Sequence, residues 1–350
     1  MNSLKYYFII LLFTIFSLQS FAQAKKSYKV GCIGFYNLEN LFHPSRDTTI
    51  NDVEFTPEGA NRWTMERYQA KLTQLADVIS KVGTDLSPAG LAILGVSEIE
   101  NRMVLEDLVK EPAIASRGYE IVHYDSPDRR GVDVGLLYQP SIFKPVNSRS
   151  ARVVVPNEPD FRTRDQLQVS GLFDGDLIHV IVNHWPSRSG GEAKSAPLRA
   201  AAAKLTRSMV DSIMQIDPNS KIIIMGDLND DPIDESVIKH LNAKGREKDV
   251  KEGGLFNPMW KMYKEGHGTL AYRDSWSLFD QLIVSEPLLG TDRSTYKLLR
   301  ANIYNAKFLT QKSGQYAGYP WRTYAGGVYS GGYSDHFPIY IFLIKEVSTK

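Results

Sequence analysis

One cysteine, Cys32, stands in 350 residues. No disulfide can close within the chain, and a zinc site built on several thiolates is excluded. Stability must therefore come from packing. The chain also lacks a surplus of charge. Lys plus Arg number 41 against 40 Asp plus Glu, and removing residues 1–22 takes away Lys5 alone, leaving 40 against 40. Dedicated nucleic-acid binders commonly carry a basic surplus. Phosphate contacts need only a local cluster, for which Arg129, Arg130, Arg162, Arg164 and Arg188 are candidates. There is no internal repeat or low-complexity tract. Missing too are the G-x-S-x-G elbow, the H-E-x-x-H helix and the G-x-x-x-x-G-K-[ST] phosphate loop, so the familiar serine, zinc and nucleotide-loop hydrolase plans find no support.

Only one long hydrophobic run exists. It covers Tyr6 to Leu18, broken by Thr14 and Ser17, with Lys5 before it and the small-x-small triplet Ser20-Phe21-Ala22 after it. This is the pattern of a secretory signal over residues 1–22, with an uncleaved anchor as the alternative. The run is short of the ~20 residues a membrane span needs. No other stretch can cross a membrane, so the mature chain is expected to be exported, periplasmic or secreted, without stable membrane insertion. No protein partner is implied.

What remains has an ordinary globular balance, 43% hydrophobic and 23% charged. Seven short apolar runs, rich in β-branched residues, read as strands covered on both faces: Tyr28 to Tyr36, Leu91 to Ser97, Val132 to Tyr138, Leu177 to Asn183, Lys221 to Gly226, Phe279 to Ser285 and Phe337 to Ile344. Between them Trp63 to Val82, Glu192 to Ile216 and Asp234 to Leu241 carry apolar residues at helical spacing; Pro197 is tolerated near the start of the second. Residues 28–346 are read as one α/β catalytic domain.

Polar residues recur at the ends of these runs. Asn37, Glu98, His184 and Asp227 follow four of them, while Asp280 and the pair Asp335–His336 stand at or before the start of two others. If all serve one site, four strands approach it and two leave it, and the sheets must be mixed. Read alone, each segment is ambiguous. In Gly226-Asp227-Leu228-Asn229 the carboxylate can take a proton from water and the amide can donate to a phosphoryl oxygen, yet Asp and Asn also end strands by satisfying backbone groups. In Asn183-His184-Trp185-Pro186 the histidine suits acid catalysis near neutral pH, or is a packed, hydrogen-bonded residue. Glu98 is a candidate ligand for a hard cation, which typically takes one or two carboxylates.

Together, three Asp, two His, one Glu and two Asn on strand rims are hard to explain as separate turns. The chain resembles the endonuclease/exonuclease/phosphatase superfamily, the fold of deoxyribonuclease I. The resemblance runs through Phe35-Tyr36-Asn37-Leu38-Glu39-Asn40, Gly95 to Glu98, Asn183-His184-Trp185-Pro186, Gly226-Asp227-Leu228-Asn229, Phe279-Asp280-Gln281 and Ser334-Asp335-His336-Phe337-Pro338. It implies a four-layer sandwich of two packed mixed sheets with helices on the outer faces, and a hydrolase of phosphoric esters using Mg²⁺, with Mn²⁺ as a substitute. By position, Asn37 would orient the catalytic Asp or touch phosphate, and Glu98 would bind the metal. His184 would donate to the phosphoryl group or leaving oxygen, Asp227 would position or deprotonate water, and Asn229 would stabilise the pentavalent state. Asp280 would orient a histidine, Asp335 would support the metal or a histidine, and His336 would contact the scissile phosphate.

Further candidates for binding substrate are Arg130 and Asp133, Arg188, and Trp321 with Arg322 in the Gly/Tyr-rich stretch Ser313 to Tyr333. Asp133 in an apolar run needs a partner, either Arg130 near substrate or a purely structural cation. The Tyr and Trp residues of the stretch either stack on bases or pack on their own scaffold. Nucleic acid is the leading substrate expectation, and a phospholipid or sugar phosphate the alternative; a non-catalytic binding protein is the reading with least support.

Overall fold

The apolar runs become strands of two facing sheets because alternate residues on each strand find apolar cover on opposite sides. The computed structural model describes residues 26–156 and 158–347; the expected signal segment lies outside them. A six-stranded sheet has the spatial order Lys297–Ile303, Ile339–Val347, Ser27–Leu41, Leu91–Ile99, Asp133–Tyr138, Glu120–His123. A seven-stranded sheet has the order Phe143–Ala151, Gln166–Phe173, Asp176–His184, Lys221–Asp227, Asp280–Ser285, Leu255–Phe256, Ala243–Lys244. Both are mixed. Ser27–Leu41 is parallel to Leu91–Ile99 and Asp176–His184 is parallel to Lys221–Asp227, while Asp280–Ser285 and Ile339–Val347 run antiparallel to their neighbours.

The layering follows from the alternation. Ile33 and Phe35 of the first sheet meet Val180, Val182, Ile223 and Met225 of the second in one buried core. Cys32, Tyr36 and Leu38 point the other way, against Leu72, Leu75 and Ile79 of the helix Met65–Lys81. On the far side Ile181, Ile222 and Ile224 pack under Ala202, Met209, Val210 and Ile213 of the helix Glu192–Ile216. Helix, sheet, sheet and helix make the four layers. The sheets pack tightly where Gly95 faces Met225 and Gly31 faces Phe173: a Cβ at either glycine would lie 2.4 Å from the opposing side chain.

The long helices follow local rules. Thr64 caps Met65–Lys81, its side chain accepting from the Arg67 N–H at 3.4 Å. Glu192–Ile216 carries Pro197 in its second turn, where the missing N–H forfeits one helical bond, the one to the Ala193 carbonyl. The third expected helix is shorter than its periodicity suggests, a single π-turn over Ser236–His240. Several strands had no apolar signature. Phe143–Ala151 is a half-exposed edge strand containing Pro145 and two serines, and Lys297–Ile303 is the edge strand of the other sheet. Edges are kept polar and interrupted, which hides them from a search for apolar runs.

Candidate active site

Three neighbouring strands of the second sheet end level with one another. His184 stands opposite Asp227 in the parallel pair, and Asp280 stands opposite Asp227 in the antiparallel pair. Glycine is required at 226, just before Asp227, because a Cβ there would meet the Asn183 carbonyl oxygen of the neighbouring strand at 2.2 Å. The first sheet brings Asn37 and Glu98 to the same rim. Glu98 has φ +58° and interrupts the pairing between Ser97 and Ile99, a bulge that re-aims its carboxylate. Asp335 and His336 precede the strand Ile339–Val347. Ser334 shapes that turn, its hydroxyl donating to the Asn37 carbonyl (2.7 Å) and accepting from the His336 N–H (3.2 Å).

All eight rim residues named from the sequence converge here. Asn37 Nδ2 donates to Asp227 Oδ2 at 3.1 Å, and the Asn229 N–H donates to Asp227 Oδ1 at 2.9 Å. His184 Nε2 lies 3.7 Å from Glu98 Oε1 and 3.7 Å from Asp227 Oδ2. His336 Nε2 lies 4.0 Å from Asp227 Oδ2 and 3.9 Å from Asp335 Oδ1, while its Nδ1 is bonded to Asp280 Oδ2 at 2.6 Å. Asn229 is already partly committed, since its Nδ2 donates to the Trp185 carbonyl at 3.1 Å; one amide hydrogen remains.

Burial and mutual charge set three different protonation tendencies. Burial pushes the Asp227 carboxyl up to about 7, with Asp280 and Glu98 adding to the rise and His336 opposing it. His184 is held well below the usual histidine range by burial and then by the charges of Arg164, Arg130 and His336, so its imidazole is neutral. For His336 burial opposes the charge, but Asp280, Asp335 and Asp227 outweigh it and raise the imidazole well above its usual range. The rim therefore holds a poised carboxyl between a neutral and a cationic imidazole, a division of labour suited to general acid–base chemistry.

The donor set fits a hard cation. Glu98 Oε2 accepts from the Asn40 N–H at 3.0 Å, while Oε1 has no hydrogen-bond donor among the described residues. Asp335 offers oxygens whose nearest cations, His336 and Arg322, are 3.9 Å away. One or two carboxylates beside room for water and phosphate oxygens is the usual protein share of a Mg²⁺ site. Asp227, Asp280 and His336 also bring ligand atoms within 4.8 Å of one another, but the Asp280–His336 bond already occupies two of those groups.

The model of the endonuclease/exonuclease/phosphatase family matches residues 32–345. The chain belongs to this family. Its members are hydrolases of phosphoester bonds and are typically dependent on a divalent metal. Among solved structures, this family member is similar to humanised TDP2 of D. rerio (14% identity, TM-score 0.53, 90% of this chain and 98% of that one). It is also similar to the catalytic domain of human Nocturnin (14%, 0.53, 92% and 98%) and to a mannosyl-6-phosphatase of Bacteroides thetaiotaomicron (16%, 0.51, 89% and 99%). No curated protein matches the sequence.

The expected substrate-binding residues divide. Arg130 is exposed, lines a cavity beside Asn40 and contributes to keeping His184 neutral; its nearest acid is Asp128 at 3.7 Å. Arg322 faces Asp335. Asp133 does not pair with Arg130: its oxygens take the His123 ring at 3.0 Å and the Ser126 N–H at 2.9 Å, a structural network. Arg188 is held by the Asn229 carbonyl (2.9 Å), Asp230 (3.1 Å), Asp234 (2.7 Å) and Glu192 (3.0 Å), so it braces the turn after Asp227. Trp321 turns into its own loop, donating to Ser330 Oγ at 2.9 Å and meeting Tyr333 edge-on.

A buried lysine that is not among the residues named above lies beneath the site. Lys71 Nζ donates to Thr323 Oγ1 (2.6 Å) and the Tyr333 carbonyl (2.7 Å) and lies 3.5 Å from Glu39. Glu39 in turn accepts from the Thr323 N–H at 2.7 Å. A signal existed: Lys71 falls on the helix face shared by Tyr68, Leu72 and Leu75, where a lysine needs a buried partner.

Proposed function

We propose that this chain is an exported, magnesium-dependent phosphoester hydrolase acting by direct attack of water on phosphorus, with Mn²⁺ as a substitute cofactor. The observation that carries this reading is Asp227, buried at the junction of both sheets, raised in pKa and flanked by imidazoles of opposite protonation tendency. Asn37 and the Asn229 N–H fix its two oxygens, leaving it to accept the proton of the attacking water. His336, tethered by Asp280, presents a charged N–H to the phosphoryl oxygens, and His184 offers a second ring nitrogen to phosphoryl or leaving oxygen. Glu98 and Asp335 would hold the Mg²⁺, which offsets charge developing on the phosphoryl oxygens.

The distribution of cations favours a compact substrate. Of the arginines that looked available for a polyanion, Arg164 is buried on the His184 and Trp185 carbonyls, Arg188 is ringed by carboxylates, and Arg129 and Arg162 bind backbone carbonyls. A neighbouring groove is lined by Asp47, Glu100, Asp125, Asp128 and Asp133, with Arg129 the one arginine in its wall. A long phosphate backbone would be repelled there. The nucleic-acid reading keeps one supporting feature, the hairpin Leu270–Tyr272 with Ser275–Ser277, which presents exposed Tyr272 and Trp276 and joins the site through the Phe337 N–H to Thr269 carbonyl bond. A similar D. rerio TDP2 structure was solved with a single-stranded DNA product.

The purified mature protein is expected to hydrolyse bis(p-nitrophenyl) phosphate with Mg²⁺ or Mn²⁺ and to stop in EDTA. Undiminished turnover in EDTA refutes the metal-dependent reading. A panel of plasmid DNA, RNA, sphingomyelin and hexose phosphates ranks the substrates. The exported form is expected to begin at Gln23, which N-terminal sequencing of the extracytoplasmic fraction checks.

A further inference from the structure

We propose that the cavity beside Glu98 is a subsite for a neutral polyhydroxylated group, a sugar ring or short polyol, carried by the phosphoester substrate. The proposal rests on the phosphoester reading and names its substrate class. The cavity holds about 250 Å³ and is lined by Glu39, Asn40, Asn51, Glu54, Asn61 and Arg130 over Phe42, Phe55, Trp63 and Tyr324. It adjoins the reaction centre at Asn40. The Asn40 N–H binds the Glu98 carboxylate, and the Asn40 side chain and Arg130 both stand in the cavity wall.

Size, polarity and charge select the ligand. The volume suits a small ligand such as one six-membered ring. Among the described residues, the side chains of Asn40, Asn51, Asn61 and Glu54 have no hydrogen-bond partner. Carboxamides both donate and accept, as hydroxyls do, and a carboxylate can accept from two hydroxyls. Charge in the wall is balanced, Glu39 by Lys71 beneath it at 3.5 Å and Glu54 by the guanidinium of Arg130, so no surplus cation is left for a second phosphate. A nucleobase is disfavoured because little ring face is free: Phe42 and Trp63 are each 1% exposed, Phe42 stacks on Phe55 at 4.3 Å, and the part-exposed Tyr324 already packs against Trp63 and Tyr329. The wall is preformed, because Lys71 and Glu39 fix Thr323 from beneath.

The test measures inorganic phosphate, a hexose phosphate and thymidine 5′-phosphate against the full exported chain with Mg²⁺. Each is used as an inhibitor of bis(p-nitrophenyl) phosphate hydrolysis and as a ligand in thermal melting. Two new hydrogen bonds predict that the hexose phosphate acts at about tenfold lower concentration than phosphate. It should also raise the melting temperature more than either other ligand. Asn51 and Glu54 are exposed, so the double variant N51A/E54A should fold, and it should reduce the hexose phosphate to the potency of phosphate. Lys239→Ala, on a distant exposed ion pair, serves as control. Equal potency of hexose phosphate and phosphate, tighter binding of the nucleotide, or an unaffected N51A/E54A variant overturns the proposal. If bis(p-nitrophenyl) phosphate is not hydrolysed with any divalent cation, the catalytic reading fails, and the melting experiment still judges the cavity.

Discussion

Two strands, Asp176–His184 and Lys221–Asp227, carry an aspartate at opposite ends of the sandwich, and the surroundings of the two acids differ in kind. Asp176 accepts from Lys221, from Lys345 Nζ at 2.7 Å and from the Tyr296 N–H at 2.9 Å. Burial works against its charge, but these donors outweigh it and hold the carboxyl below its usual range. Asp227 accepts only from an amide and a backbone N–H, with both imidazoles at 3.7 Å or beyond, and burial lifts it to about 7. A carboxylate whose donors saturate it stabilises the fold. One held short of them is costly to the fold and available to chemistry.

Neutralising each acid in turn should give opposite results. Asp227→Asn is expected to lower kcat at least ~100-fold, as is His184→Ala, in line with acid–base contributions of ~10²–10⁴. The melting temperature of D227N should hold or rise, because a buried charge whose desolvation outweighs the attraction of His336 is gone. A steep loss of stability with kcat retained would reverse the assignment. Asp280→Asn removes the partner that raises His336 and should cost about tenfold or more in kcat. The basic limb of its pH–rate profile should move to lower pH, since the imidazole then loses its proton earlier; an unmoved limb contradicts the tether.

At the far end, Asp176→Asn should destabilise the protein by about 2 kcal/mol in urea unfolding, the scale of charge-assisted hydrogen bonds discounted for partial exposure. Its kcat should stay within about twofold, far below the ~10²-fold scale of the rim acids. The smallest effect is one of pH. Because the native Asp176 pKa lies below the ordinary value of 3.8, its stabilisation is fully present above that value and is lost as pH falls through the depressed native value. The wild type should therefore lose stability between about pH 4 and 2 more steeply than D176N; parallel curves would show that the lysines contribute nothing.

Much of the site was legible in the sequence because strand ends mark themselves. An apolar run closed by Gly226-Asp227 or Asn183-His184 states both the strand and its rim residue, and the need for a common site implied mixed sheets, as found. What stayed hidden depends on pairing between distant segments. Arg188 reads as a free cation until the fold sets Asp230 and Asp234 against it. Trp321 and Asp133 likewise find their partners, Ser330 and His123, only through loop and sheet geometry. Edge strands such as Phe143–Ala151 escape because they satisfy one face only.

The strand Ile339–Val347 lies against Ser27–Leu41, with Ser27 opposite Val347, so segments separated by some three hundred residues close the same sheet. During synthesis the polypeptide can therefore display Glu98, His184 and Asp227 while still lacking its second imidazole and the neighbour of its opening strand. Any product halted before His336 is a sheet with an unpaired margin and an incomplete reaction centre. A polypeptide that stops short of His336 thus lacks the imidazole that Asp280 holds beside Asp227.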